Sequence, residues 1–502
     1  MSDDLTYEAD SLGWGLARLP GREIEKKLSE SPLHSIVRLR SGKNVFLPAL
    51  PALSQEEERL IASILLGFQR EAGQDSNVSV FSFCRAFCAR HLIRLVDEQK
   101  KAVVDTVEKH AFGSGPLTPL LEDPSLEEIS VSGSGIGCPV RVFHRKWGWL
   151  DTSLFFRSDA DIVHWANRLA RVHDRALSLQ EPRINAVLSN GDRLHAAIPP
   201  IAFDGPSLTV RRFSTEPFSW SQLVQSRTLS LDALSFLARV MRIDANVLVC
   251  GNTGSGKTTT LNALLQFFPP DERLVVIEET PEVQPLHKHV VRLSAQREVG
   301  LSELVLDSLR MRPDRLIVGE IRSKKEVSAF VDTVLAGQGR GSIATFHAKG
   351  AHEAFQRLMR LGVDEKDLSA IDLVIVQKRF TRIDPVSMAG RECRRITEIC
   401  EVRDLGAGVE PEPVFSFDFS TDELVAVSPS EQLLPRFWQS LEKNLLEDKP
   451  RAWEQEEHRL RELLGKNLRA RDFFEAWHAH VVDAGLPFSA KKDVQTSAGV
   501  FE

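Results

Sequence analysis

The stretch Gly251-Asn252-Thr253-Gly254-Ser255-Gly256-Lys257-Thr258 constrains this chain most, because it fits the pattern G-x-x-x-x-G-K-[ST] and sits between two readable elements. Asn246–Cys250 before it is an apolar strand, and Thr258–Phe268 after it reads as a helix. In that context the glycines let backbone N–H groups point at phosphates, and the helix N-terminus adds partial positive charge. Lys257 is expected to reach the β- and γ-phosphates, and the Thr258 hydroxyl to serve Mg²⁺. Thr259 continues the nucleotide-binding set into the helix. A Gly-rich turn arising by accident would need neither neighbour.

At 502 residues the chain is too long for one core, so two or three domains are expected. Hydrophobic residues are 42% and charged residues 26%, as in soluble globular proteins. A net charge of -7, with pI near 6.1, argues against a nucleic-acid footprint spread over the whole protein. No apolar run approaches the ~20 residues that span a bilayer. The acidic start Met1-Ser2-Asp3-Asp4 lacks a following apolar stretch, so no secretory signal is read there and a cytoplasmic location is expected. Cys84, Cys88, Cys138, Cys250, Cys393 and Cys400 fit a reducing compartment and read as small apolar thiols, without a second pair at metal-binding spacing.

The pass along the chain gives five segments. Residues 1–95 read as a partly helical N-terminal extension. Leu47–Leu53 looks like a linker, and Gln55–Glu71 has the helical spacing Leu60, Ile61, Ile64, Leu65, Phe68. Residues 91–112 read as another helix, stopped by Gly113-Ser114-Gly115-Pro116. Residues 96–213 form a small α+β domain. Its strands are predicted at Glu128–Val131, Val140–Phe143, Arg183–Val187, Arg193–Ile198 and Leu208–Phe213. Its helix, Ala160–His173, turns Ile162, Trp165, Leu169 and Val172 inward. Residues 214–230 read as a linker or hinge carrying Glu216-Pro217. Residues 231–425 are the phosphate-loop domain, whose alternation of helix and strand up to residue 400 implies a parallel sheet. Residues 426–502 are charged helices with Trp438, Trp453 and Trp477 and stripes such as Leu460, Leu463, Leu464 and Leu468, an amphipathic face for the body or for a partner. With no phosphate-handling motif there, their removal is expected to spare hydrolysis.

Two more strands end in acids. Leu274–Ile277 runs into Glu278, Glu279 and Glu282, and Arg315–Val318 runs into Gly319-Glu320. Ligands of a parallel α/β sheet bind at the carboxyl ends of its strands, so Glu278, Glu279 and Glu320 can converge on the phosphate loop. There a carboxylate can hold the water shell of Mg²⁺, a role for Glu278 or Glu320, or orient the attacking water. A fourth strand, Ser342–Thr345, leads to Phe346-His347, where a histidine can hydrogen-bond a phosphate. Strand-end acids also cap helices, and His347 can be a satisfied core residue.

With these four elements in this order the sequence resembles the secretion and pilus-assembly ATPases of the type II/type IV superfamily. The matches are Gly251–Thr258 as Walker A, Ile277–Glu282 as an acidic box, Leu309–Arg322 as Walker B and Gly341–His347 as a histidine box. Gly115-Pro-Leu-Thr-Pro-Leu-Leu-Glu-Asp-Pro124, Arg193-Leu-His-Ala-Ala-Ile-Pro-Pro200 and Asp204–Phe213 resemble the Tad (tight-adherence) pilus and archaeal pilus or archaellum branch. The resemblance covers roughly residues 100–425. It implies a RecA-like P-loop core with a smaller N-terminal α+β domain and helical terminal extensions.

The resemblance further implies an ATP-hydrolysing homohexamer with ATP at subunit interfaces. That ring would drive an inner-membrane platform protein of a pilus or secretion system from the cytoplasmic face, attached to the membrane only through that partner and without nucleic acid. Glu320 would be the catalytic glutamate, Glu278 or Glu279 a metal- or water-positioning acid, and Arg193, Arg211 and Arg212 phosphate contacts from the small domain. Two positions depart from the pattern: Glu279 stands where Asp is usual, and Gln338 replaces one of two expected histidines. A nucleic-acid-translocating ATPase on the same kind of core, and a ring that binds nucleotide without turning it over, are the competing readings. The first is disfavoured by the acidic pI and the Gly-Glu Walker B, the second by Lys257, Thr258 and Glu320.

Overall fold

Val247, Leu248, Val249 and Cys250 are all buried, which a strand can satisfy only when both faces of its sheet are covered. In the computed structural model of the chain they are. Val247 and Val249 enter one apolar cluster with the helix Leu231–Val240 and Leu261, Leu264 and Phe267, whereas Leu248 and Cys250 enter a second cluster with Val305, Phe330 and Phe355. The structure describes residues 12–17, 21–72, 79–171, 176–213, 216–296, 298–337, 341–383, 390–406, 408–440 and 449–483. The chain divides into two units, Met1–Ser214 and Thr215–Glu502.

The first unit is built on a sheet whose strands are β1 (Trp14–Leu16), β2 (Ile24–Glu30), β3 (His34–Leu39), β4 (Asn44–Pro48), β5 (Leu126–Ser132), β6 (Pro139–His144), β7 (Gly148–Phe156), β8 (Arg183–Val187), β9 (Arg193–Ala197) and β10 (Ser207–Arg211). Their order is β2-β3-β4-β7-β6-β5-β10-β9-β8, with β1 on β7. Residues 1–95 are therefore not all apart from the α+β domain: β2, β3 and β4 extend its sheet, and Leu47 and Pro48 of the expected linker lie in β4. A strand that buries Phe46 between β3 and β7 is too short to show in local periodicity. The expected helix at 91–112 is Asp97–Ala111, preceded by a separate helix, Val80–Arg90, and a break at Leu92 with φ 55°. Asp159–Ala170 is helical with Ile162, Trp165 and Leu169 buried, and Val172 lies outside the described residues.

The second unit has a sheet in the order β13-β12-β14-β15-β11-β16-β17-β18-β19. Its strands are β11 (Val247–Gly251), β12 (Leu274–Glu278), β13 (Val290–Ser294), β14 (Arg315–Ile321), β15 (Ser342–Phe346), β16 (Leu373–Ile383), β17 (Gly390–Asp404), β18 (Val409–Asp418) and β19 (Glu423–Ala426). From β13 to β16 every pairing is parallel, the RecA-like core. From β16 to β19 every pairing is antiparallel, so the parallel sheet expected through residue 400 stops at β16. Among the described residues no helix is long and apolar enough to cross a membrane.

Segment 214–230 is not a free linker over its described part. Ser219 caps the helix Trp220–Gln225, Trp220 is fully buried, and Ile396 donates its N–H to Thr228 O at 2.8 Å. The C-terminal helices Leu433–Gln439, Lys449–Gly465 and Ala470–Asp483 close over the same cluster. Trp477 lies parallel to Phe473 and edge-on to Phe267, their centroids 6.4 and 5.5 Å away. Glu456 pairs with two buried arginines at the end of the helix Leu231–Val240 and in the turn after it, Arg239 at 3.1 Å and Arg242 at 2.5 Å.

Candidate active site

The phosphate loop leaves β11 and enters the helix Lys257–Leu264 through Gly256, whose φ of 99° a side chain would strain. A Cβ there would also approach Gln377 Nε2 to 3.1 Å. Gln377, buried on β16 beside Gly251, accepts from Thr260 Oγ1 at 2.7 Å and so supports the loop from below. Asn252 and Thr253 are exposed at the loop's outer edge, Ser255 is buried, and Thr259 is half-buried. The Ser255 Oγ is buried with no hydrogen-bond partner, a donor left inside a loop that suits an anion's oxygens.

Lys257, Glu320 and His347 meet at the carboxyl ends of the strands. His347 Nε2 is 2.6 Å from Glu320 Oε1, and Lys257 Nζ is 3.5 Å from His347 Nδ1 and 3.9 Å from Glu320 Oε1. An ammonium only donates, so Nδ1 is the acceptor and Nε2 carries the proton given to Glu320. Burial and then the Lys257 charge push the His347 pKa below its ordinary value, which keeps the ring neutral as this arrangement needs. Burial also pushes the Lys257 pKa down, against the pull of Glu320. Arg322 donates from Nε to Glu320 Oε2 at 2.7 Å and from Nη1 to Glu279 Oε2 at 2.9 Å. Glu279 is thus an exposed partner of Arg322 at the rim.

Glu320 does not sit past the end of its strand. β14 continues to Ile321, with an irregularity in its pairing with β15 between Val318 and Ile321. The displaced Gly319 carbonyl accepts from Thr345 Oγ1 at 2.6 Å. Gly319 is required here by contact rather than by φ: a Cβ would stand 2.9 Å from Glu278 Cγ.

Glu278 is buried at the end of β12. Its Oε1 accepts the N–H groups of Glu282 and Val283, both at 2.8 Å, and burial pushes its pKa up. A buried carboxylate bonded in this way shapes the turn after β12. That turn presents Glu282, which accepts from Thr258 Oγ1 at 2.9 Å. Glu282 lies four residues beyond the end of β12, opposite the residue after the P-loop lysine, and that spacing is its signal in the sequence. Hydroxyl and carboxylate oxygens are the donors Mg²⁺ takes, so Thr258, Glu282 and Glu320 fit that ion.

In the first unit Arg193 and Arg211 stand opposite each other on β9 and β10, and Arg211 is exposed. Arg212 is engaged inside its own unit. It donates from Nη1 to Leu120 O at 2.9 Å and forms an ion pair with Asp192 at 3.0 Å, which accounts for its place in the fold without a phosphate. Gln338 and Arg340 lie outside the described residues.

Residues 151–406 match the family described as Type II/IV secretion system protein. An uncharacterized protein of Methanocaldococcus jannaschii is 37% identical over 231 residues, 43% of this chain and 32% of that protein, so this chain spans about a third of that relative. A protein named for conjugal transfer in Mycobacterium tuberculosis is 30% identical over 344 residues, 64% of this chain and 94% of its own length. Among solved structures, the VirB11 ATPase from the Brucella suis type IV secretion system, in complex with sulphate, matches at 26% identity and a TM-score of 0.29, covering 57% of this chain and 92% of that one.

Proposed function

This chain belongs to the type II/IV secretion system protein family, and from that premise we propose that it is an ATP-hydrolysing motor for assembly of a pilus-like filament or for protein secretion. It works as a homohexamer on an inner-membrane platform protein, at the cytoplasmic face of that membrane, in the branch of the Tad and archaeal pilus enzymes. The observation that carries the ATPase reading is the meeting of Lys257, Glu320 and His347 at the mouth of a glycine-built phosphate loop. Gly251 to Thr259 hold the phosphates, and Lys257 gives its ammonium to the β- and γ-oxygens. Mg²⁺, held by Thr258 with Glu282 or Glu320, supplies charge neutralisation when bound.

An arriving γ-phosphate competes with Glu320 and His347 for the Lys257 ammonium. Glu320 then orients a water and takes its proton as the new P–O bond forms and the bond to the β-phosphate oxygen breaks, leaving ADP and phosphate. Arg322 holds Glu320 from the solvent side. Two substitutions separate binding from chemistry. Lys257→Ala should abolish both nucleotide binding and phosphate release. Glu320→Gln should keep binding while phosphate release falls by about two orders of magnitude or more. Normal release by the Glu320→Gln protein would remove this residue from catalysis and promote Glu282.

A further inference from the structure

The β16–β17 hairpin runs beyond the parallel core and alongside the phosphate loop. Arg379 and Arg394 face each other across it. Arg394 donates from Nε to Gly254 O at 3.0 Å. Arg379 Nη1 stands 2.6 Å from where a Cβ on Gly254 would lie, and Gly254 has a φ of 73° that favours glycine. The backbone of Arg379 is joined to the side chain of Asn252 in both directions, N to Oδ1 at 3.2 Å and Nδ2 to O at 3.4 Å. Glu392 ties the two guanidinium groups together, at 3.2 Å from Arg379 and 3.0 Å from Arg394. Two cations and one anion leave this cluster with one positive charge, set directly against a loop shaped for phosphates.

A glycine-rich loop is ordered only at an entropic cost, which adds to the cost of binding whatever it holds. A guanidinium on the Gly254 carbonyl fixes the Gly254–Ser255 peptide before ligand arrives. The positive charge beside it favours an anion and is screened by salt.

We propose that Arg379 and Arg394, joined by Glu392, are positioning residues for ATP: they brace the phosphate loop from its outer side and make it more electropositive. Neither residue belongs to the nucleotide-binding motifs, and the inference rests on the ATPase reading above.

The test uses the full chain, a fluorescent ADP analogue, and steady-state hydrolysis of ATP at two salt concentrations. Arg394→Ala should weaken the analogue and raise KM by about tenfold, the scale of one hydrogen bond to a charged group, and Arg379→Ala, which removes charge only, by a smaller factor, each with a still smaller change in kcat. Arg394→Lys, which keeps the charge and a donor, should recover most of the loss. The deficit of Arg379→Ala should shrink as salt rises. Thermal melting of each variant accompanies the measurements, and Arg394→Lys and Arg379→Ala carry the test if Arg394→Ala does not fold. Folded variants with wild-type affinity and KM would overturn the proposal, as would a loss confined to kcat or an Arg394→Lys protein no better than Arg394→Ala. Lys257→Ala separates the two readings. If the wild type fails to bind the analogue, or binds it no better than Lys257→Ala does, the ATPase reading falls. If only the arginine variants behave like wild type, this inference falls alone.

Discussion

Glu320 is held from two sides, by the neutral ring of His347 and by the guanidinium of Arg322, and this makes its chemistry sensitive to pH in a defined direction. The folded-state pKa of His347 is pushed down, so the ring stays neutral below its ordinary value of 6.5. Only further acidification protonates Nδ1, turns it from an acceptor of the Lys257 ammonium into a repelling cation, and spoils the site. The rate of phosphate release attributable to this ring should therefore stay level as pH falls through 6.5 and decline below it. A pH profile of kcat/KM on the wild type, with His347→Gln beside it, checks this. An acid limb centred at or above 6.5 that vanishes in His347→Gln would contradict the assignment.

At the scale of elements, the helix Lys449–Gly465 is bound to the helix before β11 by charge. Arg239 and Arg242 are 0% and 1% exposed, with Glu456 between them and the Trp453 ring 3.8 Å from the Arg239 guanidinium. Removing one partner of a buried ion pair strands the other, at about 3–5 kcal/mol. Glu456→Ala should lower the unfolding free energy of the second unit by that scale, read from a denaturant titration as an earlier midpoint at unchanged slope. Deletion of residues 431–502 should yield misfolded protein rather than the active truncated enzyme expected from motifs alone, because Phe267 would lose the cover of Trp477 and Phe473 and keep only that of Trp220 and its other core neighbours. Circular dichroism and phosphate release on the soluble fraction decide between the two; a folded, active truncation would show that the core closes without them. The difference has a physical origin. Strand β11, its loop and its helix are local, and their residues announce themselves by spacing. The burial of Trp477 against Phe267 joins residues 210 positions apart, and nothing in local periodicity tells a body from a partner. The same holds for Arg379 and Arg394, brought to the loop only by the register of β16 on β11 and of β17 on β16. Glu320 and His347 each follow an apolar run, a signal local to the sequence, whereas an acid at a strand end such as Glu278 looks the same in sequence whether it faces a ligand or holds a turn.

For the whole molecule, the proposed ring makes a prediction about the arginines of the first unit. Arg193 and Arg211 are register partners at one end of β9 and β10, where Arg212 is engaged by Asp192. A guanidinium suits the equatorial oxygens of a transferring phosphoryl group, and such arginines are worth about 10³-fold or more in turnover. If the proposed ring places these residues on a neighbour's ATP, Arg193→Ala and Arg211→Ala should each cut turnover steeply with a modest change in affinity. Mixing either with Lys257→Ala should then restore part of the activity, because an intact loop meets an intact arginine in some interfaces. Mixtures that exchange subunits freely and remain inactive would withdraw support from action across the interface.

The narrow contact between Gly319 and Glu278 has a consequence for descent. No Cβ fits at 319 while the Glu278 side chain holds the turn after β12, so position 319 cannot enlarge before 278 shortens. Related sequences that carry a larger residue at 319 should carry a shorter one at 278, and lineages should cross between the two states by paired replacement. In this chain Gly319→Ala should impair folding and hydrolysis together, and adding Glu278→Ala, which removes the Cγ that the new Cβ would meet, should recover part of the folding loss; a double variant as poor as the sum of its parts would show that the two positions evolve independently.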